Sequence, residues 1–333
     1  MRRLGLLVGL LSVLACGGGP STAPTTSALT PLQVGYASTS ATQASAWVAK
    51  EKGIFAKNGL DVTLQSIAGG SSPTAALLSG NLDALQISVE AISARLEGGD
   101  IVYVAAPVSA PLFWFVSLPS ITDASQLKGS KVAVTGIGTA TYYAAVVALR
   151  HFGLDPFKDV TLVPVNNVPA IFAALQSGQV QAGALSMPTF AQAQKAGMHV
   201  LANIADLGVR YPSSWLAVKG SYAKEHRREV TALVKSVTEA VAFQILHPDE
   251  TTEIIGRYSK VTDAEVLMSS YKTLKPYLNR VPTPRAAEVD EALKLIALRS
   301  PKAAAAKAGD FVDTSFVDQL QKQGFIDRLY AGH

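Results

Sequence analysis

The side chains in this sequence that could do chemistry are mostly hydroxyls and amides, gathered in six short segments. These are Ser38–Thr42, Gly70–Ser72, Ser88–Glu90, Gly136–Tyr142, Asn166–Asn167 and Ser186–Thr189. Each follows an apolar run and leads into a helical pattern. Such a segment presents unpaired backbone N–H groups at a helix start beside short polar side chains, a setting suited to holding a small polar molecule. The candidate contacts are Ser38, Thr39 and Gln43; Gly70, Ser71 and Ser72; Ser88 and Glu90; Gly138, Thr139, Thr141 and Tyr142; Asn166 and Asn167; and Ser186 and Met187. Trp114 and Trp215 are the aromatic candidates, offering ring faces to a planar ligand. Tyr36, Tyr143 and Tyr211 stand near the same segments, whereas Trp47 and Phe113 read as core.

Glu90 is the one carboxylate in these segments, and they contain no Lys or Arg; the nearest is Arg210. Two roles stand open for Glu90. In the first turn of a helix it complements the positive end of the dipole. Facing a ligand, it would accept hydrogen bonds from an amino group or pair with a cation. An anionic ligand would have to be held by helix N-termini and hydroxyls alone.

Catalytic signatures are missing. There is no His-Glu-x-x-His, no Gly-x-Ser-x-Gly and no P-loop, and Gly136-Ile137-Gly138 lacks the third glycine of a dinucleotide fingerprint. The five histidines, at 151, 199, 226, 247 and 333, fall outside the six segments. No metal site and no cofactor is expected. Cys16 is the only cysteine, so one chain can form neither a disulfide nor a cysteine zinc cluster.

The elements that must position these groups alternate. Leu32–Tyr36, Asp61–Ile67 and Leu82–Ile87 read as strands, and Gln43–Lys52, the segment opening at Ser72-Pro73 and the one running from Ser88 to Leu96 read as helices. Phe113–Leu118 is a further apolar run. After Lys128-Gly129 the plan restarts: strands Lys131–Thr135, Val160–Val165 and Ala182–Leu185, each followed by a helix. Trp215–Val218 reads as a strand returning to the first unit. Val230, Leu233, Val234, Val237, Val241 and Ile245 then form one apolar helical stripe, ended by His247-Pro248. Strand, loop and helix in repetition imply an α/β protein of mostly parallel sheets flanked by helices.

With 333 residues, 48% hydrophobic and 16% charged, the chain has material for two domains and is too apolar for disorder. It carries 29 Lys and Arg against 25 Asp and Glu. The basic run His226–Arg228 lies between Glu225 and Glu229, as on a solvated helix face. Nothing in this balance favours nucleic acid.

Residues 1–15 read as a signal peptide, with basic Arg2 and Arg3 before an apolar run from Leu4 to Ala15. Without those two arginines the balance is 27 basic to 25 acidic residues. Val13-Leu14-Ala15-Cys16 resembles the lipobox of bacterial lipoproteins, which implies lipidation of Cys16 and a lipid-anchored position on the outer face of a membrane in the cell envelope. Residues 16–31, rich in Gly, Ser, Thr and Pro, read as a flexible tether.

Five stretches carry a second resemblance: Ala49–Phe55, Asn58–Val62, Leu78–Ala84, Leu127–Val134 and Leu175–Ala182. Together they resemble type II periplasmic substrate-binding proteins of ABC importers, in the group that binds nitrate, sulfonates, taurine and thiamine-type pyrimidines. The resemblance implies two lobes joined by a two-strand hinge, 32–118 plus 214–333 and 119–213, closing on one small-molecule ligand. It further implies a monomer partnered by ABC permease and ATPase subunits; a sensor docking on a receptor kinase would use the same cleft. A fungal pyrimidine-synthesising enzyme shares this fold, but it carries a cysteine cluster absent here, so no enzymatic activity is expected. An aminopyrimidine-like solute is the first expectation for the ligand, a sulfonate or nitrate the second.

Overall fold

The computed structural model describes residues 28–332. The leader at 1–15, Cys16 and most of the 16–31 tether lie outside them; the last two tether positions, Thr30 and Pro31, belong to the first strand.

Among the described residues, ten strands form two five-stranded sheets. The first holds β1 (Thr30–Tyr36), β2 (Leu60–Ser66), β3 (Ala84–Ile87), β4 (Val102–Val108) and, from far along the chain, β10 (Ser214–Val218), in the order β2-β1-β3-β10-β4. The second holds β5 (Trp114–Ser117), β6 (Lys131–Val134), β7 (Thr161–Pro164), β8 (Ala182–Leu185) and β9 (His199–Asn203), in the order β7-β6-β8-β5-β9. In each sheet the second strand in the order, β1 or β6, pairs in parallel with both neighbours, and the fourth, β10 or β5, runs antiparallel to both of its own. The sheets are therefore mixed rather than mostly parallel. This is the type II periplasmic-binding-protein fold.

The antiparallel strand of each sheet is the first one formed after the chain crosses over. β5 follows the crossing at 109–113, and β10 follows the crossing at 204–213. Phe113–Leu118, placed before the expected 118/119 boundary, carries β5, whose ladder partners β8 and β9 are strands of the second sheet. A strand's own sequence does not reveal its ladder partner when the partner lies tens of residues away. β4 is buried at every position, so it lacks the alternation by which strands are read; β9 is half-buried throughout.

Period-two alternation directs neighbouring side chains to opposite faces, and the apolar core follows it across both sheets. Val34, Ala133, Val116 and Leu185 join Trp47 and Leu233 in one body, while Leu85, Val132, Phe115 and Ala184 join Leu77 and Ile92 in the other. The apolar stripe expected after Arg228 forms one face of the Arg227–Leu246 helix, with Val230, Leu233, Val234, Val237 and Val241 buried. Among the described residues no helix is long and apolar enough to cross a membrane.

Candidate ligand-binding site between the lobes

The loops that follow β1, β2 and β3 face those that follow β6, β7 and β8 across a cavity of about 450 Å3. The lobes touch around it. Ala41 N–H donates to the Met187 carbonyl at 3.0 Å. Gly69, at φ +92°, lies so near Asn166 that a Cβ there would stand 2.2 Å from Asn166 Oδ1. Gly136 is less tightly held, a Cβ there standing 3.1 Å from the Gly70 Cα. A side chain at either glycine would crowd the facing lobe.

Eleven of the candidate contacts line the cavity: Ser38, Thr39, Gln43, Gly70, Ser88, Glu90, Thr139, Thr141, Asn166, Asn167 and Ser186. Ser71 and Gly138 line an adjoining groove instead. Five others line neither. Ser72 is exposed as the first residue of the Ser72–Ser79 helix, with Ser71 in the N-cap position expected for it. Trp114 is stacked on Phe190, with ring centres 4.3 Å apart. Tyr142 is buried edge-on to Tyr143 in the core. Met187 meets the first lobe twice, its sulfur accepting from the Ser270 hydroxyl and its carbonyl from Ala41 N–H, and its side chain stays out of the cavity. Trp215 is fully buried against Tyr103, its Nε1–H donating to Ser109 Oγ at 3.3 Å. Large aromatic surfaces at strand ends went to packing, where they bury most area. Phe113 is buried in the core as expected, and it also forms the aromatic part of the cavity wall.

Other lining residues lacked a signal. Ser259 and Lys260 arrive at the C-terminal end of the Pro248–Ser259 helix, and Ser213 from the crossing segment. Lys260, exposed and left-handed at φ +60°, is a cation the six segments did not include. Ser88, read from the sequence as the start of the helix after β3, donates its hydroxyl to the Pro212 carbonyl and ties that strand end to the crossing.

The polar groups of the cavity divide into spent and unspent. Thr135, Thr139 and Thr141 bond one another, with hydroxyl oxygens 2.9–3.1 Å apart, and Thr139 donates to the Gly136 carbonyl at 2.7 Å. Asn167 Oδ1 caps its own helix by accepting from Ala170 N–H at 2.9 Å. Glu90 reaches across the cleft: Oε1 accepts the Ala140 N–H, the first of the Ala140–His151 helix, at 2.9 Å. Glu90 Oε2, Gln43 Oε1 and Ser259 Oγ are buried without a partner among the described residues. Burial raises the Glu90 carboxyl above its ordinary value, against backbone hydrogen bonds from Glu90, Ala140 and Ser88 that pull it down. Its charge, after burial itself, also raises the phenols of Tyr103, Tyr143 and Tyr211; that of Tyr143 is pushed up to about 12.

Two orphaned acceptors, an orphaned hydroxyl and an aromatic wall suit a donor-bearing molecule of modest size. Among the described residues no group of three or more His, Cys, Asp or Glu could hold a metal ion.

The family described as NMT1/THI5 like matches residues 41–251. A Bacillus subtilis (strain 168) protein that carries the name of a binding protein, YtlA, is 25% identical over 263 residues, covering 77% of this chain and 79% of that one. Three solved structures are similar in fold. The ligand-binding component of an ABC-type import system from Staphylococcus aureus, solved with zinc bound, has a TM-score of 0.71 at 15% identity, covering 87% of this chain and 98% of its own. The alkanesulfonate-binding protein SsuA from Xanthomonas axonopodis pv. citri, bound to MOPS, has a TM-score of 0.71 at 19% identity, covering 86% and 99%. The periplasmic nitrate-binding protein NrtA from Synechocystis has a TM-score of 0.74 at 15% identity, covering 91% of each chain. These proteins are named for binding, not for catalysis. The chain belongs to the NMT1/THI5-like family.

Proposed function

We propose that this protein captures a small polar solute rich in hydrogen-bond donors, such as an aminopyrimidine or another amine, and delivers it to an ABC importer. The observation that carries this reading is Glu90 Oε2, a buried carboxylate oxygen in the cavity with no partner. An ammonium or amino group would satisfy it with a charge-assisted bond, and a ring could lie against Phe113. The nitrate- and sulfonate-binding neighbours suggest an anion instead. Here the N-terminus of the Ala140–His151 helix, where an anion would sit, already holds the Glu90 carboxylate. A sulfonate beside it would meet a like charge in a site screened from water.

The family membership and the Staphylococcus neighbour, whose name assigns it to an ABC-type import system, support delivery to an importer. Export and lipid anchoring through Cys16 belong to the same reading, as does action as a monomer. Thermal unfolding with 4-amino-2-methylpyrimidine, ethanesulfonate and nitrate tests it. At about a hundred times its dissociation constant, a ligand adds roughly 2.7 kcal/mol of stability. The aminopyrimidine is expected to stabilise the protein and the anions not to; stabilisation by an anion alone overturns the donor reading.

A further inference from the structure

A groove of about 390 Å3 adjoins the cavity, formed where the Ser72–Ser79 and Glu90–Leu96 helices of the first lobe meet the Ile137-Gly138 turn of the second. Gly70 and Glu90 belong to the walls of both spaces, so the two abut along those residues. Leu78 and Ile137 flank the groove and are left 36% and 53% exposed, an unusual fate for large apolar side chains in this structure. Of the groove's hydroxyls, Thr74 donates to the Ser71 carbonyl at 2.9 Å, and Ser71 and Ser93 bring two more to the walls. Glu97, at the rim, is paired with Lys302. Most of the surface that the walls present is carbon.

We propose that this groove is the second half of the binding site and takes the apolar tail of an elongated solute whose polar head occupies the cavity. The identity of the head as an amine rests on the reading above; the tail's place in the groove does not. Because one wall is the second lobe's Ile137-Gly138 turn, burying the tail also favours the lobes' approach.

Calorimetric titration with two series of equal chain lengths, n-alkylamines and n-alkanesulfonates from propyl to octyl, tests this. In whichever series binds, affinity is expected to rise about fourfold per methylene while the tail fills the groove. The doubly substituted Leu78→Ser, Ile137→Ser protein, altered only at exposed positions, should lose that increment and keep the affinity of the shortest member. Affinity independent of chain length, or an increment undiminished in the double variant, overturns the proposal. Chain-length dependence among the sulfonates alone sustains the groove and overturns the amine reading. Binding by neither series overturns both.

Discussion

Two helices of the second lobe aim their N-termini at the same cavity and are capped in opposite ways. The Val168–Gln176 helix is capped by its own Asn167, three residues from the N–H that it accepts. The Ala140–His151 helix has Thr139 at its N-cap, but that hydroxyl is turned to Gly136 and the neighbouring threonines; the cap oxygen comes from Glu90 of the other lobe. The first cap is a local device and exists whether the lobes are together or apart. The second exists only when they meet. One serves stability, and the other couples closure to whatever satisfies the remaining oxygen of Glu90.

Substitutions at the two caps should separate these roles. Glu90→Ala removes the acceptor offered to the ligand and leaves the Ala140 N–H bare. Loss of a charge-assisted bond of about 1.5–3 kcal/mol corresponds to roughly a 10- to 150-fold weaker affinity for an aminopyrimidine by calorimetry. Unfolding of the ligand-free protein at neutral pH should not become easier. Gly69→Ala comes next: a side chain at φ +92° facing Asn166 opposes approach of the lobes. Left-handed strain of about 1–2 kcal/mol burdens the folded chain with or without ligand, so it predicts a melting temperature lower by roughly 2–4 °C, and affinity falls only as far as the new Cβ displaces Asn166. Asn167→Ala reverses the pattern, costing about 1 kcal/mol of stability, roughly 2 °C in melting temperature, with affinity within about twofold. Equal effects of the Glu90 and Asn167 substitutions on both readouts would erase the distinction.

The smallest effect is in pH. Glu90 ionises at about its ordinary value of 4.5 when unfolded and higher when folded, because its burial opposes the charge. The folded protein therefore holds a proton that the unfolded chain has lost. Stability from this group is fully present below 4.5 and is lost as pH rises through the folded value. Glu90→Gln lacks this component, so the difference between the two stability profiles should change only in that window. A difference independent of pH would mean that the carboxyl is not held in a desolvated site.

Much of this architecture was legible because helix starts have local chemistry. Asn167 two residues before Pro169, and Glu90 just after a strand, mark positions by type and spacing alone. What lay hidden is what pairing over distance decides. The assignment of β5 to the second sheet depends on ladder partners 65 or more residues away. Trp215 and Tyr142 are aromatic residues beside polar segments, and the sequence does not say which way the strand pleat or the helix turns them; both face inward. Ser259 and Lys260 reach the cavity at a helix C-terminus more than 200 residues from Ser38, a position that a search for helix starts passes over. The cross-lobe use of Glu90 combines both cases: its position was readable, but its partner was not.

The most direct test of the central claim is a high-resolution crystal structure of the protein with its best-binding amine. The account predicts a ligand donor within hydrogen-bond distance of Glu90 Oε2, with Glu90 Oε1 still on the Ala140 N–H. A ligand anion seated on that N–H, with the Glu90 side chain displaced, would contradict it.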